Sequence, residues 1–193
     1  MASILIQNDE IALRLMQDEM HDYQLLSKWL TYPTVLEFYE GRDNPHPLSR
    51  VVEEYSPKML QQEQVTPCLI LYQTQPIGYL QYYLITEADR DSYGGYGRDE
   101  NSKLYAIDLF IGEPHYWNQG IGTKALTTAL IYLFEHIQAD RVLIDPLVSN
   151  VRAIRCYEKC GFTKVKQLPN HELHEGRYRH SWLMVAERSR EAR

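Results

Sequence analysis

The chain has 193 residues, 44% of them hydrophobic, which predicts one folded domain spanning 1–193 with a substantial core. Its 26 acidic residues outnumber 20 basic ones for a formal charge of −6, which argues against a nucleic-acid partner and suits a cationic ligand, since negative walls concentrate positive charge. Cys68, Cys156 and Cys160 lack metal-finger spacing and are odd in number, so neither a metal site nor a disulfide framework is expected; with no leader-like segment and no long apolar run, the reading is a soluble, cytoplasmic protein without membrane or nucleic-acid partners.

Along the chain, Glu10 to Met16 alternates Ile11, Leu13 and Leu15 and predicts a first strand. Tyr23, Leu26, Trp29 and Leu30 recur at helical spacing within Asp22–Tyr32, a run that Pro33 stops. Leu48–Gln62 predicts a helix broken near Pro57. Pro67–Tyr72 and Ile77–Ile85 predict a hairpin about the turn Gln73-Thr74-Gln75-Pro76. The charged, Gly- and Tyr-rich stretch Thr86–Ser102 is long for a bare connection and predicts a loop covering a substrate. Leu104–Ile111 is a strand, Ile121–His136 an amphipathic helix, Arg141–Asp145 a short buried strand and Asn150–Lys159 a helix ended by Gly161. Phe162–Leu168 and Tyr178–Ala186 complete a mixed sheet with a parallel pair at its middle. The 15 tyrosines against 4 phenylalanines suit a pocket for a polar, sugar-like molecule, although most are accounted for by core and surface.

Between a strand and the long helix lies Trp117-Asn118-Gln119-Gly120-Ile121-Gly122-Thr123-Lys124. Glycines permit close backbone approach, the first turn of a helix offers unbonded N–H groups, and Lys124 adds a positive charge, an arrangement suited to a pyrophosphate. Gly120, Gly122 and Ala125 also match the dinucleotide fingerprint G-x-G-x-x-G/A, but that motif needs a tight turn straight off the strand, whereas Gly112 to Gln119, including Pro114, intervene here.

A second motif decides between them: Ser149-Asn150, then Ala153, Cys156-Tyr157-Glu158-Lys159 and Cys160-Gly161-Phe162. With the glycine loop, it resembles the GNAT superfamily of acetyl-CoA-dependent N-acetyltransferases, matching its R/Q-x-x-G-x-G/A and N-x-x-A-x-x-x-Y-x-x-x-G-F signatures; Trp117 stands where the superfamily has Arg or Gln. Ala106-Ile107-Asp108-Leu109-Phe110-Ile111-Gly112-Glu113-Pro114, Tyr116-Trp117, Asp145-Pro146, Arg152-Ala153-Ile154-Arg155 and Val65-Thr66-Pro67 look like the aminoglycoside 6′-N-acetyltransferases. Leu168-Pro169 with His171-Glu172-Leu173-His174-Glu175-Gly176 is similar to the acetyltransferase half of a bifunctional modifying enzyme, without length for a fused phosphotransferase. The likeness spans roughly Leu25 to Val185.

The resemblance implies an α/β (α+β) GNAT fold: a mixed central sheet with a splayed parallel strand pair, flanked by helices. It implies acetyl-CoA as co-substrate, its pantetheine arm bonded to the backbone of Phe110 and Ile111 and its pyrophosphate cradled by Asn118, Gln119, Gly120, Ile121, Gly122, Thr123 and Lys124. Asn150 would cap its helix and sit beside the arm, and Tyr157 would protonate the departing thiolate.

Asp108 shares a strand face with Leu104, Ala106 and Phe110, so its carboxylate is expected to be half-buried and to need a cationic partner. No nearby position supplies one; a substrate ammonium would, and a salt bridge with a distant Arg is the structural alternative. Tyr39, Glu63, Tyr96, Asp145 and Glu172 are further candidates for the acceptor pocket, with Tyr39 and Tyr96 against sugar rings. His171, His174 and His180 lack metal-ligand spacing. The reading is an aminoglycoside 6′-N-acetyltransferase, monomer or homodimer, conferring resistance, with Asp108 as base or amine-orienting group and Tyr157 as acid. The rivals are a GNAT enzyme for another amine (a polyamine, a siderophore precursor or a protein N-terminus) and a non-catalytic acyl-CoA-binding domain.

Overall fold

The computed structural model describes residues 3–60, 64–97 and 102–188. Eight strands form one sheet: β1 (Ile4–Asn8), β2 (Ile11–Leu15), β3 (Val65–Tyr72), β4 (Gln75–Leu84), β5 (Leu104–Ile111), β6 (Arg141–Ile144), β7 (Thr163–His174) and β8 (Arg177–Glu187). They are ordered β1-β2-β3-β4-β5-β6-β8-β7, antiparallel throughout except for the parallel pair β5–β6. The helices are α1 (Met20–Trp29), α2 (Pro33–Leu36), α3 (Leu48–Met59), α4 (Ile121–Ile131) and α5 (Val151–Lys159).

Period-two burial sends alternate residues of β3 to opposite layers. Cys68 and Ile70 join the core under α4, with Leu126, Ala129 and Leu133, whereas Leu69 and Leu71 meet Leu26, Trp29 and Val51 of α1 and α3. In β4 a bulge at Ile77 breaks the alternation: Ile70 pairs with Gly78 and Leu71 with Pro76. A bidentate pair of Arg14 with Asp22, at 2.7 and 2.8 Å, ties β2 to α1 where both side chains are buried.

Several expected boundaries shift for identifiable reasons. Pro33 does not merely stop α1, which already ends at Trp29; it starts α2 at the first helical position, where its missing N–H costs nothing. Pro57 lies inside the last turn of α3 without breaking it, because the lost backbone bond falls at a half-exposed end that water can serve. The hairpin turn tightens to Gln73-Thr74, both at positive φ, so β4 begins at Gln75. The helix expected to His136 finishes in a π turn from Tyr132. β7 runs past Pro169 to His174, with a register shift between Leu168 and Glu172.

The largest departure is the stretch after β4. Of the loop expected over Thr86–Ser102, residues 98–101 lie outside the described residues, and residues 86–97 do not line the cleft; Tyr93 is buried in a third cluster with Ile85, Leu104, Leu168 and Leu183, and its hydroxyl lies 2.9 Å from that of Tyr83. For residues 86–97, aromatic burial against the β5 and β7–β8 end of the sheet outweighs the length and composition that predicted a substrate cover.

Candidate active site

Pairing between β5 and β6 covers Leu104 to Ala106 against Arg141 to Leu143 and then stops. Beyond it β5 remains bonded to β4 as far as Ile111 opposite Gly78, while the chain after β6 turns to β8, with Trp182 N–H donating to the Pro146 carbonyl at 2.9 Å. The parallel strands therefore separate like a V. A cleft of about 840 Å³ occupies the opening, walled by Leu109, Phe110 and Ile111 on one side and Ile144, Asp145 and Pro146 on the other. An unpaired strand edge of this kind accepts an extended ligand through backbone hydrogen bonds.

At the far end of β5, the Trp117 indole donates to the Ile111 carbonyl at 2.8 Å and lies under the Arg152 guanidinium, 4.0 Å from ring centre to carbon. The departure from the superfamily's Arg or Gln thus becomes a clasp between β5, the glycine loop and α5.

The glycine loop is built for an anion. Gly120 caps α4 at φ +78, a conformation that disfavours any side chain, and Asn118 is also left-handed at φ +59. The first bond of the helix runs from Lys124 N–H to the Gly120 carbonyl at 3.0 Å, so the N–H groups of Ile121, Gly122 and Thr123 have no acceptor within α4. Asn118, Gly120, Gly122 and Thr123 line the cleft. Two expected contributors do not: the Gln119 amide donates to the His115 carbonyl at 2.5 Å, and the Lys124 ammonium pairs with Glu10 at 2.9 Å. The Ile121 side chain is buried in the core, which leaves its backbone as its only contribution. Asn150 caps α5 as expected, accepting from Ala153 N–H at 3.1 Å, and lines the cleft.

The opposite lobe is acidic. Asp108 is half-buried and accepts from the Gln81 amide at 2.8 Å; Gln81 in turn accepts from the Tyr79 hydroxyl at 2.8 Å. Among the described residues it has no ion-pair partner. Burial, reinforced by the nearby Asp145 carboxylate, pushes Asp108 up to about 7, against the opposing Gln81 bond. Asp145 lies 2.7 Å from His171, which that hydrogen bond raises above the ordinary imidazole range. Glu172 lines the cleft, held above the usual carboxylate range chiefly by burial. Tyr157, half-buried on α5, lines the cleft between the two lobes; burial keeps its phenol above the ordinary range and therefore protonated.

Tyr39 also lines the cleft, its ring 4.6 Å from that of Phe110. Tyr96 does not: it packs into the third cluster, with Arg141 over its ring at 5.9 Å. Glu63 lies outside the described residues. Sequence reasoning missed Gln81 and set His171 aside with the metal question. Gln81 is the one amide in the apolar run of β4 and pairs in register with Asp108; His171 enters only through the β7 register shift. Among the described residues no group of His, Cys, Asp or Glu is placed to hold a metal, and the cysteines are free thiols.

A splayed parallel pair with a helix N-terminus at its mouth is the architecture of a GNAT acetyltransferase, and residues 18–169 match the family of the acetyltransferase (GNAT) domain, to which the chain belongs. Within that family, the aminoglycoside N(6′)-acetyltransferase type 1 of Klebsiella pneumoniae is 34% identical over 157 residues, 81% of this chain and 76% of that protein. The structure of AAC(6′)-Ib with ribostamycin and coenzyme A is 30% identical, covers 96% of this chain and 100% of its own, and superposes with a TM-score of 0.75. The spermine/spermidine N(1)-acetyltransferase of Bacillus subtilis (strain 168) is 27% identical over 96 residues, 50% of this chain and 58% of that protein.

Proposed function

We propose that the protein transfers the acetyl group of acetyl-CoA to the 6′-amino group of an aminoglycoside, inactivating the antibiotic. The observation that carries this reading is Asp108, a half-buried carboxylate without a described cation, set where the V opens into the acidic lobe. Relatives at 34% and 30% identity that carry the aminoglycoside name or hold ribostamycin support it.

The splayed edge of β5 and the N–H groups opening α4 would bind acetyl-CoA along its arm and pyrophosphate. Asp108, with Asp145 and Glu172 nearby, would receive the cationic amine. The ammonium first gives a proton to Asp108, which frees the nitrogen lone pair; the neutral amine then attacks the thioester carbonyl, the C–S bond breaks, and the second nitrogen proton leaves to water. A carboxylate poised near neutrality can both orient an ammonium and take its proton. Tyr157 would then give its proton to the sulfur; with the phenol held above its usual range, that transfer requires a site in which thiolate and proton move together.

Acetyl-CoA turnover against kanamycin-type, gentamicin-type and polyamine acceptors tests the proposal. Aminoglycosides are expected to show the higher kcat/KM. A clear preference for spermine would move the chain to the polyamine branch, and no turnover of any amine would leave it an acyl-CoA-binding domain.

A further inference from the structure

On the acceptor side, across from the β6 and β7 acids, stands a carboxylate that the sequence reading did not select. Glu40 follows α2 and lines the same cleft. It is a non-glycine residue at φ +66, beside Gly41 at φ +95. L side chains rarely adopt that backbone, and such strain gathers where a side chain must be aimed. The carboxylate is gripped from behind: Asn44 donates to it at 3.0 Å, and His46 Nε2 lies 3.6 Å away.

His46 is itself unusual. It is 2% exposed, its Nδ1 is 3.1 Å from Glu54, and neither ring nitrogen makes a directed hydrogen bond. A polar ring that is buried without directed bonds is costly to the fold and calls for a role. Its backbone is fixed, with N–H donating to the Leu30 carbonyl at 2.9 Å and the carbonyl accepting from Ser27 Oγ at 3.2 Å. The imidazole lies between two acids, with Nδ1 toward one oxygen of Glu54, whose other oxygen accepts from Arg50 at 2.6 Å, and Nε2 toward Glu40. The adjacent His46 ring, chiefly, keeps Glu40 below the usual carboxylate range despite its burial, with Arg50 and Lys58 adding smaller positive potential from α3.

We propose that Glu40 is a specificity-determining carboxylate of the acceptor site, receiving a second ammonium group of the acceptor, distinct from the one acetylated, and that His46 is the positioning residue behind it. Asp108 and Glu172 both feel its charge, so the three acids surround one volume from three different elements. A polyamino acceptor carries positive charge on more than one ring; a monoamine could satisfy Asp108 but would leave Glu40 unanswered.

The inference rests on the acceptor reading above, and two acceptors separate them. Kanamycin carries several ammonium groups, and methyl 6-amino-6-deoxyglucoside carries the reacting amine alone. In Glu40→Gln the ratio of kcat/KM for kanamycin over the monoamine should fall about tenfold, through the kanamycin KM, as for loss of one charged hydrogen bond. Glu40→Gly suits the left-handed backbone and should fold at least as well while giving the same fall. His46→Phe should give part of it, and the double variant Glu40→Gly/His46→Phe no more than Glu40→Gly alone. An unaltered ratio in both Glu40 variants, or equal losses on both acceptors that follow a lowered Tm, overturns the inference. Failure of the unmodified protein to acetylate kanamycin is a different pattern and sinks the acceptor reading, and this inference with it.

Discussion

The two lobes of the cleft are made of different material. The side proposed for the cofactor is largely backbone: a strand edge left by β6, three N–H groups at the start of α4, a left-handed glycine and one capping asparagine. The side proposed for the acceptor is side chains, with Asp108, Asp145, His171, Glu172 and Glu40 converging from β5, the end of β6, β7 and the turn after α2. Backbone cradles are charge-poor and insensitive to pH, whereas buried acids repel one another, which with burial raises Asp108 and Glu172 above the usual carboxylate range, and such a group favours a cation brought among them. Damage to the first lobe should therefore read out in acetyl-CoA affinity, and damage to the second in acceptor chemistry, salt and pH.

The sharpest break of that contrast is Asp108→Asn, which keeps shape and the neighbouring Gln81 but removes the charge. It should lower acceptor kcat/KM by ~10²-fold or more, with acetyl-CoA binding by calorimetry retained. Because folded Asp108 holds its proton up to about 7, against an ordinary value of 3.8, the unfolded chain sheds that proton first as pH rises. Stability attributable to this residue is thus full below the ordinary value and lost as pH climbs through about 7. In Asp108→Asn that decline in Tm should disappear; marked unfolding with normal specific activity would instead make Asp108 structural.

Tyr157 stands where the lobes meet. Tyr157→Phe should reduce kcat by roughly ten- to a hundred-fold while acetyl-CoA binding changes little. A kcat within about twofold of the parent would give Tyr157 a packing role only.

On the cofactor side, Gly120→Val places a β-branched residue at φ +78 in the mouth of the cradle. The acetyl-CoA KM should rise by about tenfold, more than the acceptor KM, with a stability loss of order 1–3 kcal/mol from the backbone alone. Gly122 is the milder test, since an added Cβ meets only Cys156 Sγ, at 3.8 Å, and Ile111, at 4.0 Å, in ordinary contact. If both substitutions spare the acetyl-CoA KM in a folded protein, the loop does not hold the cofactor.

The smallest effects concern charge at range. Acceptor kcat/KM should fall a few-fold from low to physiological salt, since the lobe's field is screened over ~8–10 Å. Asp145→Asn should flatten that slope and release His171, whose apparent pKa by NMR should drop because its main support is the Asp145 bond. A salt-independent rate would point to a neutral acceptor.

The amino-acid sequence by itself determined the local devices. Gly120 at a left-handed helix start, Asn150 as a cap, Gly161 at φ +91 after α5 and the alternation of β3 are each decided by a residue and its near neighbours. That is why the glycine loop and the Asn-to-Phe motif were legible and, through them, the family. Asp108 was legible as a charge among apolar neighbours on one strand. Tertiary structure decided the rest, because each remaining feature depends on register or on what lies across a gap. Only strand order could show that β6 abandons β5 after Ala106, and only the β7 register shift places His171 on Asp145. Lys124 looked like a phosphate ligand until Glu10, from the turn between β1 and β2, claimed it. Thr86–Ser102 looked like a cover and Tyr96 like a sugar-stacking ring, but among the described residues 86–97 the third cluster buries Tyr93 and takes in Tyr96. Glu40, an unremarkable acid in sequence, acquires its role because Asn44 and the buried His46 fix it at the cleft wall. Short-range conformational preferences are written into single residues, but the energy of a long-range charge or packing contact exists only once the fold has brought both partners together.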